Sequence, residues 1–132
     1  MLAYSQYTGR WTLDDGSVLD IAPCLAGNNE TGSHMNNPAS QCIHNNGPLP
    51  RGIYTRSLLA FQIAVHSQGC KLMPDPANEM CGRSGFFLHL RNPTHLAPDG
   101  TNASSDGCVT FQSLGDLVKF CDMEIMTFRV TE

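Results

Sequence analysis

Phe86-Phe87-Leu88-His89 and Ser105-Asp106-Gly107-Cys108-Val109 are the two stretches on which the reading of this chain turns. The first is an apolar, aromatic run with the character of a buried β-strand, closed by an imidazole. The second places a cysteine after a glycine, where a tight turn and close approach of a substrate are sterically permitted. A thiol is a good nucleophile only as thiolate, and an imidazole within hydrogen-bond reach supplies the base. A strand-ending histidine is held by rigid backbone, and the N–H groups of Gly107 and Cys108 are candidates to line an oxyanion hole, with Ser105 shaping the turn. Between the two stretches, residues 92–104 hold Pro93, Pro98 and Gly100 and read as a flexible loop arching over a cleft. On the tetrapeptide alone, a structural cysteine and a catalytic one both stay open.

Working outward, further segments have strand character: residues 3–8, 10–13 and 17–21, punctuated by Gly9 and by Asp14-Asp15-Gly16. Residues 27–50, rich in Asn, Gly, Ser and Pro, read as loop. Residues 53–55, 60–66 and 86–91 read as core strands, and 126–130 as a last one. Residues 73–78, with Pro74 and Pro76, read as unable to form a central strand because proline lacks the ladder N–H. One helix is expected after the cysteine. Leu114, Leu117, Val118 and Cys121 fall on one helical face, and Ser113 with Asp116 three residues on resembles a capping box. Cys121 is therefore expected to pack in the core. The fold class is mostly β with one short helix, in a single domain over residues 1–132.

Composition narrows the function. With charged residues at 15% and a formal net charge of −4, the chain has no basic stripe for nucleic acid. No apolar run approaches the roughly 20 residues of a membrane span, so no membrane insertion is expected. The N-terminus lacks the basic and apolar regions of a secretory signal. His34, His44, His66 and His95 are scattered without metal-ligand spacing, so neither a metal nor another cofactor is expected. Of the six cysteines, Cys108 as a free nucleophile leaves five. At most two bridges and one buried thiol follow, with Cys24–Cys42 and Cys70–Cys81 as the nearest-neighbour pairings.

The chain resembles the L,D-transpeptidase superfamily, and more closely the L,D-transpeptidase-like effectors delivered by type VI secretion systems. The shared pieces are Asn36-Asn37-Pro38-Ala39, Gly47-Pro48-Leu49-Pro50-Arg51-Gly52-Ile53-Tyr54, Pro74-Asp75-Pro76-Ala77-Asn78-Glu79-Met80, Gly82-Arg83-Ser84-Gly85-Phe86-Phe87-Leu88-His89 and Ala103-Ser104-Ser105-Asp106-Gly107-Cys108-Val109. They occur in the family's order. Asp106 stands where classical members carry a second histidine, and Leu90-Arg91 departs from the usual residues after the catalytic histidine.

The resemblance implies a bent β-sandwich with Cys108 as nucleophile and His89 as base. It implies an L,D-carboxypeptidase or L,D-transpeptidase acting on peptidoglycan tetrapeptide stems. Arg83, Asp106 and Arg91 are substrate-contact candidates, each beside a plainer structural reading. A cognate immunity protein, a secretion-system partner, a signal-independent route and action in the periplasm of a target bacterium are further expectations. The rival is a disulfide-stapled, non-catalytic cell-wall binding module in which Cys108 is paired with another cysteine. Papain-like enzymes place cysteine before histidine, the reverse of the order here, and the Thr-x-Thr-Cys signature of sortases is absent.

Overall fold

The computed structural model describes residues 1–64 and 67–132; the side chains of residues 61–67 lie outside that description. The chain is mostly β, as expected. Nine strands are present among the described residues: β1 Leu2–Ser5, β2 Trp11–Thr12, β3 Leu25–Ala26, β4 Gly52–Arg56, β5 Ala60–Ala64, β6 Ser67–Pro74, β7 Phe87–Leu90, β8 Val109–Phe111 and β9 Thr127–Thr131. One helix, α1 (Leu114–Asp122), follows β8.

The strands run β2-β1-β9-β4-β6-β7-β8-β3, with β5 paired to β6 beside this path. The bend is built into β6. Its first half pairs with β7 (Gly69 opposite His89, Lys71 opposite Phe87), and its second half pairs with β4 (Leu72 opposite Arg56, Pro74 opposite Tyr54). One strand thus serves two sheets, and its change of partner between Lys71 and Leu72 turns one sheet over the other.

Local chemistry explains the elements that match expectation. The Asp14-Asp15-Gly16 turn closes with Leu13 N–H donating to Ser17 O at 2.8 Å, and Gly16 takes φ +84° there. Ser113 caps α1 by accepting from Asp116 N–H. The Asp116 carboxylate does not complete the capping box; it accepts from Ala22 N–H and ties the helix to the loop ahead of β3.

Other expectations are corrected. Residues 17–21 form no strand, only a bridge between Val18 and Thr12. Met73 and Pro74 lie inside β6, at its end, where a missing N–H is tolerated. Of the expected strand over residues 60–66, Val65 and His66 lie outside the described residues. In α1 the buried residues are Leu117 and Phe120, whereas Leu114 is exposed. The helix is rotated because Phe120 offers the larger apolar surface. Cys121 is half-buried and packs against the core.

That core is centred on Trp11, with ring centroids 4.5 Å from Phe120, 4.8 Å from Tyr4 and 5.0 Å from Phe128. Burying such a set contributes about 1.5–3 kcal/mol per side chain and fixes the sheet on which the site rests.

Candidate active site

The site begins with the parallel pairing of β7 and β8, in which Leu88 lies opposite Val109 and His89 opposite Thr110. Side chains alternate along a strand, so Leu88 and Val109, both fully buried, share one face. Phe87, His89, Cys108 and Thr110 share the other. Continuing the register by one residue sets Cys108 opposite Phe87, and the Phe87 N–H donates to Cys108 Sγ at 3.3 Å. His89 and Cys108 are therefore diagonal neighbours on one face.

His89 Nδ1 lies 2.8 Å from the carbonyl oxygen of Leu90. A carbonyl only accepts, so Nδ1 carries the hydrogen and Nε2 keeps its lone pair. Burial lowers the imidazole's pKa below its ordinary value, with the Leu90 hydrogen bond partly opposing, and keeps the ring neutral. Cys108 is half-buried, and its thiol is pushed up to about 11, first by burial and further by the Asp106 carboxylate; the Phe87 N–H and the Arg83 charge pull the other way. At neutral pH the imidazole of His89 is neutral and the thiol of Cys108 is protonated. The strand register sets them on one face, while His89 is not among the residues that wall the pocket beside Cys108.

The turn before Cys108 is held by Ser105. Its hydroxyl donates to Cys108 O at 2.6 Å and accepts from the N–H groups of Gly107 (3.1 Å) and Gly27 (3.2 Å). The Gly107 N–H, expected in an oxyanion hole, is thus engaged by Ser105, leaving Cys108 N–H as the candidate of that pair. Gly107 sits at φ +138°, and a Cβ there would lie 2.5 Å from Arg83 Nη2 and 2.6 Å from Phe86 Cε1. Any side chain there would have to displace the guanidinium or the Phe86 ring, on a backbone conformation that favours glycine.

Cys108 opens on a pocket of about 280 Å³ walled by His44, Asn45, Arg83, Ser84, Phe86 and Asp106, among others. Arg83 is at this wall, but its role differs from the expected substrate clamp. It is buried, and its Nη1 donates to Gln41 O and Pro48 O, its Nη2 to Gly47 O and Asp106 O, at 2.6–3.0 Å. All four Nη hydrogens are occupied by backbone carbonyls. The guanidinium also lies over the Phe86 ring at 5.1 Å.

Arg91 is corrected more strongly. It is not among the residues that wall the pocket, and its Nη2 donates to Pro23 O and Thr110 O. Asp106 is exposed at the pocket rim, so its side chain remains a contact candidate. Residues 92–104 contribute nothing to the pocket wall. They fold on themselves, with Leu96 bridged to Asn102, and lie against the 29–30 segment through Thr101 and His95.

The cysteines pair differently from the expectation. Cys42 and Cys81 form a disulfide, with Cα atoms 5.3 Å apart, while Cys24, Cys70, Cys108 and Cys121 are free. Sequence neighbours were the wrong guide because Cys24 lies buried under Trp11, whose Nε1–H donates to its sulfur. The rival module required Cys108 in a bridge, and that premise fails.

The disulfide joins the two loops that wall the pocket and brings His44 to it, with Nε2 2.9 Å from Cys81 O. Neither His44 nor Asn28 was visible as a site residue in sequence. The buried Asn28 donates to Asn45 O and Ser105 O and accepts from Asn46. Their only sequence signal is membership of an Asn-rich loop.

The Tlde1 domain family model matches residues 26–129, from β3 into β9, and so spans every residue of the pocket wall and both members of the His89–Cys108 pair. The chain belongs to the Tlde1 domain family. This is a family of type VI secretion effectors. No curated protein and no solved structure matches the chain. Among the described residues of this Tlde1 domain, no group of three or more metal-ligating side chains gathers. No helix of the described residues is long and apolar enough to cross a membrane.

Proposed function

We propose that this effector is a cysteine acyl-transfer enzyme that trims or exchanges the last residue of peptidoglycan tetrapeptide stems. In this reading it is an antibacterial L,D-carboxypeptidase and L,D-transpeptidase. The observation that carries the reading is the placement of a neutral, carbonyl-oriented His89 and a free Cys108 on one face of adjacent parallel strands, with the thiol open to a pocket. Membership of the effector family supports it.

Because the thiol is protonated at neutral pH, its proton must leave as it attacks. His89 Nε2 takes that proton as general base. The sulfur attacks the carbonyl carbon of the third stem residue, and the oxyanion is stabilised by the Cys108 N–H. Collapse expels the terminal D-alanine, whose amine takes the proton back from the imidazolium. The thioester then goes to water, to a free D-amino acid, or to the amine of another stem. Asp106 at the rim is suited to meet a cationic group of the substrate, and Ser105 and Arg83 hold the turn and wall in place.

The setting proposed with this chemistry is delivery through a secretion system into a target periplasm, with a cognate immunity protein protecting the producer. The test is incubation of wild type and Cys108→Ala with disaccharide-tetrapeptides, with and without D-methionine, read by mass. Loss or replacement of terminal D-alanine by wild type alone is the expected result. Trimming by Cys108→Ala would overturn the nucleophile, and no mass change with wild type would overturn the reaction.

A further inference from the structure

Apart from the pocket, the strongest cluster of reactive groups is on the opposite side of the sheet. Cys70 of β6 and Cys121 near the end of α1 are both free, and their sulfurs lie 3.7 Å apart. Arg56 of β4 adjoins both: Nη1 is 3.8 Å from Cys70 Sγ, and Nη2 donates to Cys121 O at 3.3 Å. The Cys121 S–H and then the Arg56 charge hold the Cys70 thiol below the ordinary range, against burial; Cys121, as donor, is held above it.

We propose that Cys70 and Cys121 are a redox-active pair that closes as a second disulfide, clamping the end of α1 to β6.

Cys70 is fully buried and Cys121 half-buried, which sets the order of events. A small disulfide oxidant such as oxidised glutathione meets Cys121 first. Cys121, held as a thiol, loses its proton to solvent as its sulfur attacks one oxidant sulfur, and the other half leaves as a thiolate that is protonated by solvent. Cys70, as thiolate beside Arg56, then attacks Cys121 Sγ of the mixed disulfide and releases the second thiol. Two protein thiols and one oxidant disulfide become one protein disulfide and two small thiols. The sulfurs must approach by less than 2 Å, since a disulfide is about 2.0 Å long. Cys121 is next to last in α1, where a helix turn adjusts easily.

The closed loop would run from Cys70 to Cys121 and so contain both His89 and Cys108. On the proposed passage from a reducing cytoplasm to an oxidising periplasm, the clamp would form after export. The bond itself is testable without reference to activity.

Wild-type protein is treated with oxidised glutathione, unfolded, alkylated without reduction and mapped by mass spectrometry. The expected product is a peptide pair linked through Cys70 and Cys121, with Cys42–Cys81 intact and Cys24 alkylated. The oxidised wild type is expected to melt higher than identically treated Cys121→Ser, by roughly 5–10 °C. Cys70→Ala, a smaller change in the core, serves as the second control and is expected to stop at a glutathione adduct on Cys121. Persistent alkylation of both cysteines in oxidised wild type would overturn the proposal. So would a stable Cys121 adduct in wild type, or a linked pair involving Cys24 or Cys108.

Discussion

Replacing Arg83 by methionine separates two roles that look alike in sequence. The structure places the guanidinium in a buried site with all four Nη hydrogens on carbonyls of residues 41, 47, 48 and 106. Each carbonyl left without a partner costs about 1 kcal/mol or more. Part of this is offset, because burying the charge is itself unfavourable, as the lowered pKa of Arg83 shows. Methionine also keeps much of the contact with Phe86. The net loss is therefore about 2–4 kcal/mol, which for a domain of this size lowers the melting temperature by roughly 10 °C. The assay is urea and thermal unfolding with the Cys42–Cys81 bridge intact, together with stem-peptide turnover at a temperature where both proteins are folded. Arg83→Lys should fall between, since an ammonium cannot reproduce the planar fork. A methionine variant within about 1 kcal/mol of wild type that nonetheless raises KM more than tenfold would refute the carbonyl-clamp account. Such a result would return Arg83 to substrate binding.

Further predictions follow from the same geometry. His89 has its folded-state pKa lowered by burial, so the unfolded chain binds the proton first. Its contribution to stability is complete above about pH 6.5 and is lost as pH falls through that value toward the folded pKa. The urea midpoint of wild type should therefore drop more between pH 7.5 and 5 than that of His89→Gln, and parallel curves would refute the assignment. Asp106→Asn removes a carboxylate that raises the Cys108 pKa. Iodoacetamide at pH 8 should then alkylate Cys108 faster by a factor of roughly 2–5, and an unchanged rate would remove Asp106 from the thiol's environment. Gly107→Ala puts a Cβ 2.5 Å from Arg83 Nη2 at φ +138°, so a loss of about 2–4 kcal/mol is expected. A melting temperature within about 2 °C of wild type would show that the turn relaxes without strain.

Local rules were enough for several parts of this protein. The Asp14-Asp15-Gly16 turn, the Ser113 cap, the strand that ends near His89 and the closing strand β9 each depend on residues adjacent in sequence. Motif made Cys108 and His89 candidates and the family resemblance singled them out, because thiol and imidazole have a chemistry that burial modifies but does not create. Tertiary structure decided which other residues serve them. β6 has no alternating pattern around Gly69-Cys70-Lys71, and it is a strand because β7 and β4 flank it. Cys42 found Cys81, and not a nearer cysteine, because two loops meet at the pocket wall. Arg83 became a clamp for four carbonyls drawn from residues 41–48 and 106, a partnership that no window of sequence contains. The physical reason is common to all three. Turns and caps are satisfied within a few residues, whereas buried backbone carbonyls, thiols and guanidinium groups take whatever partners the packed sheets bring within reach.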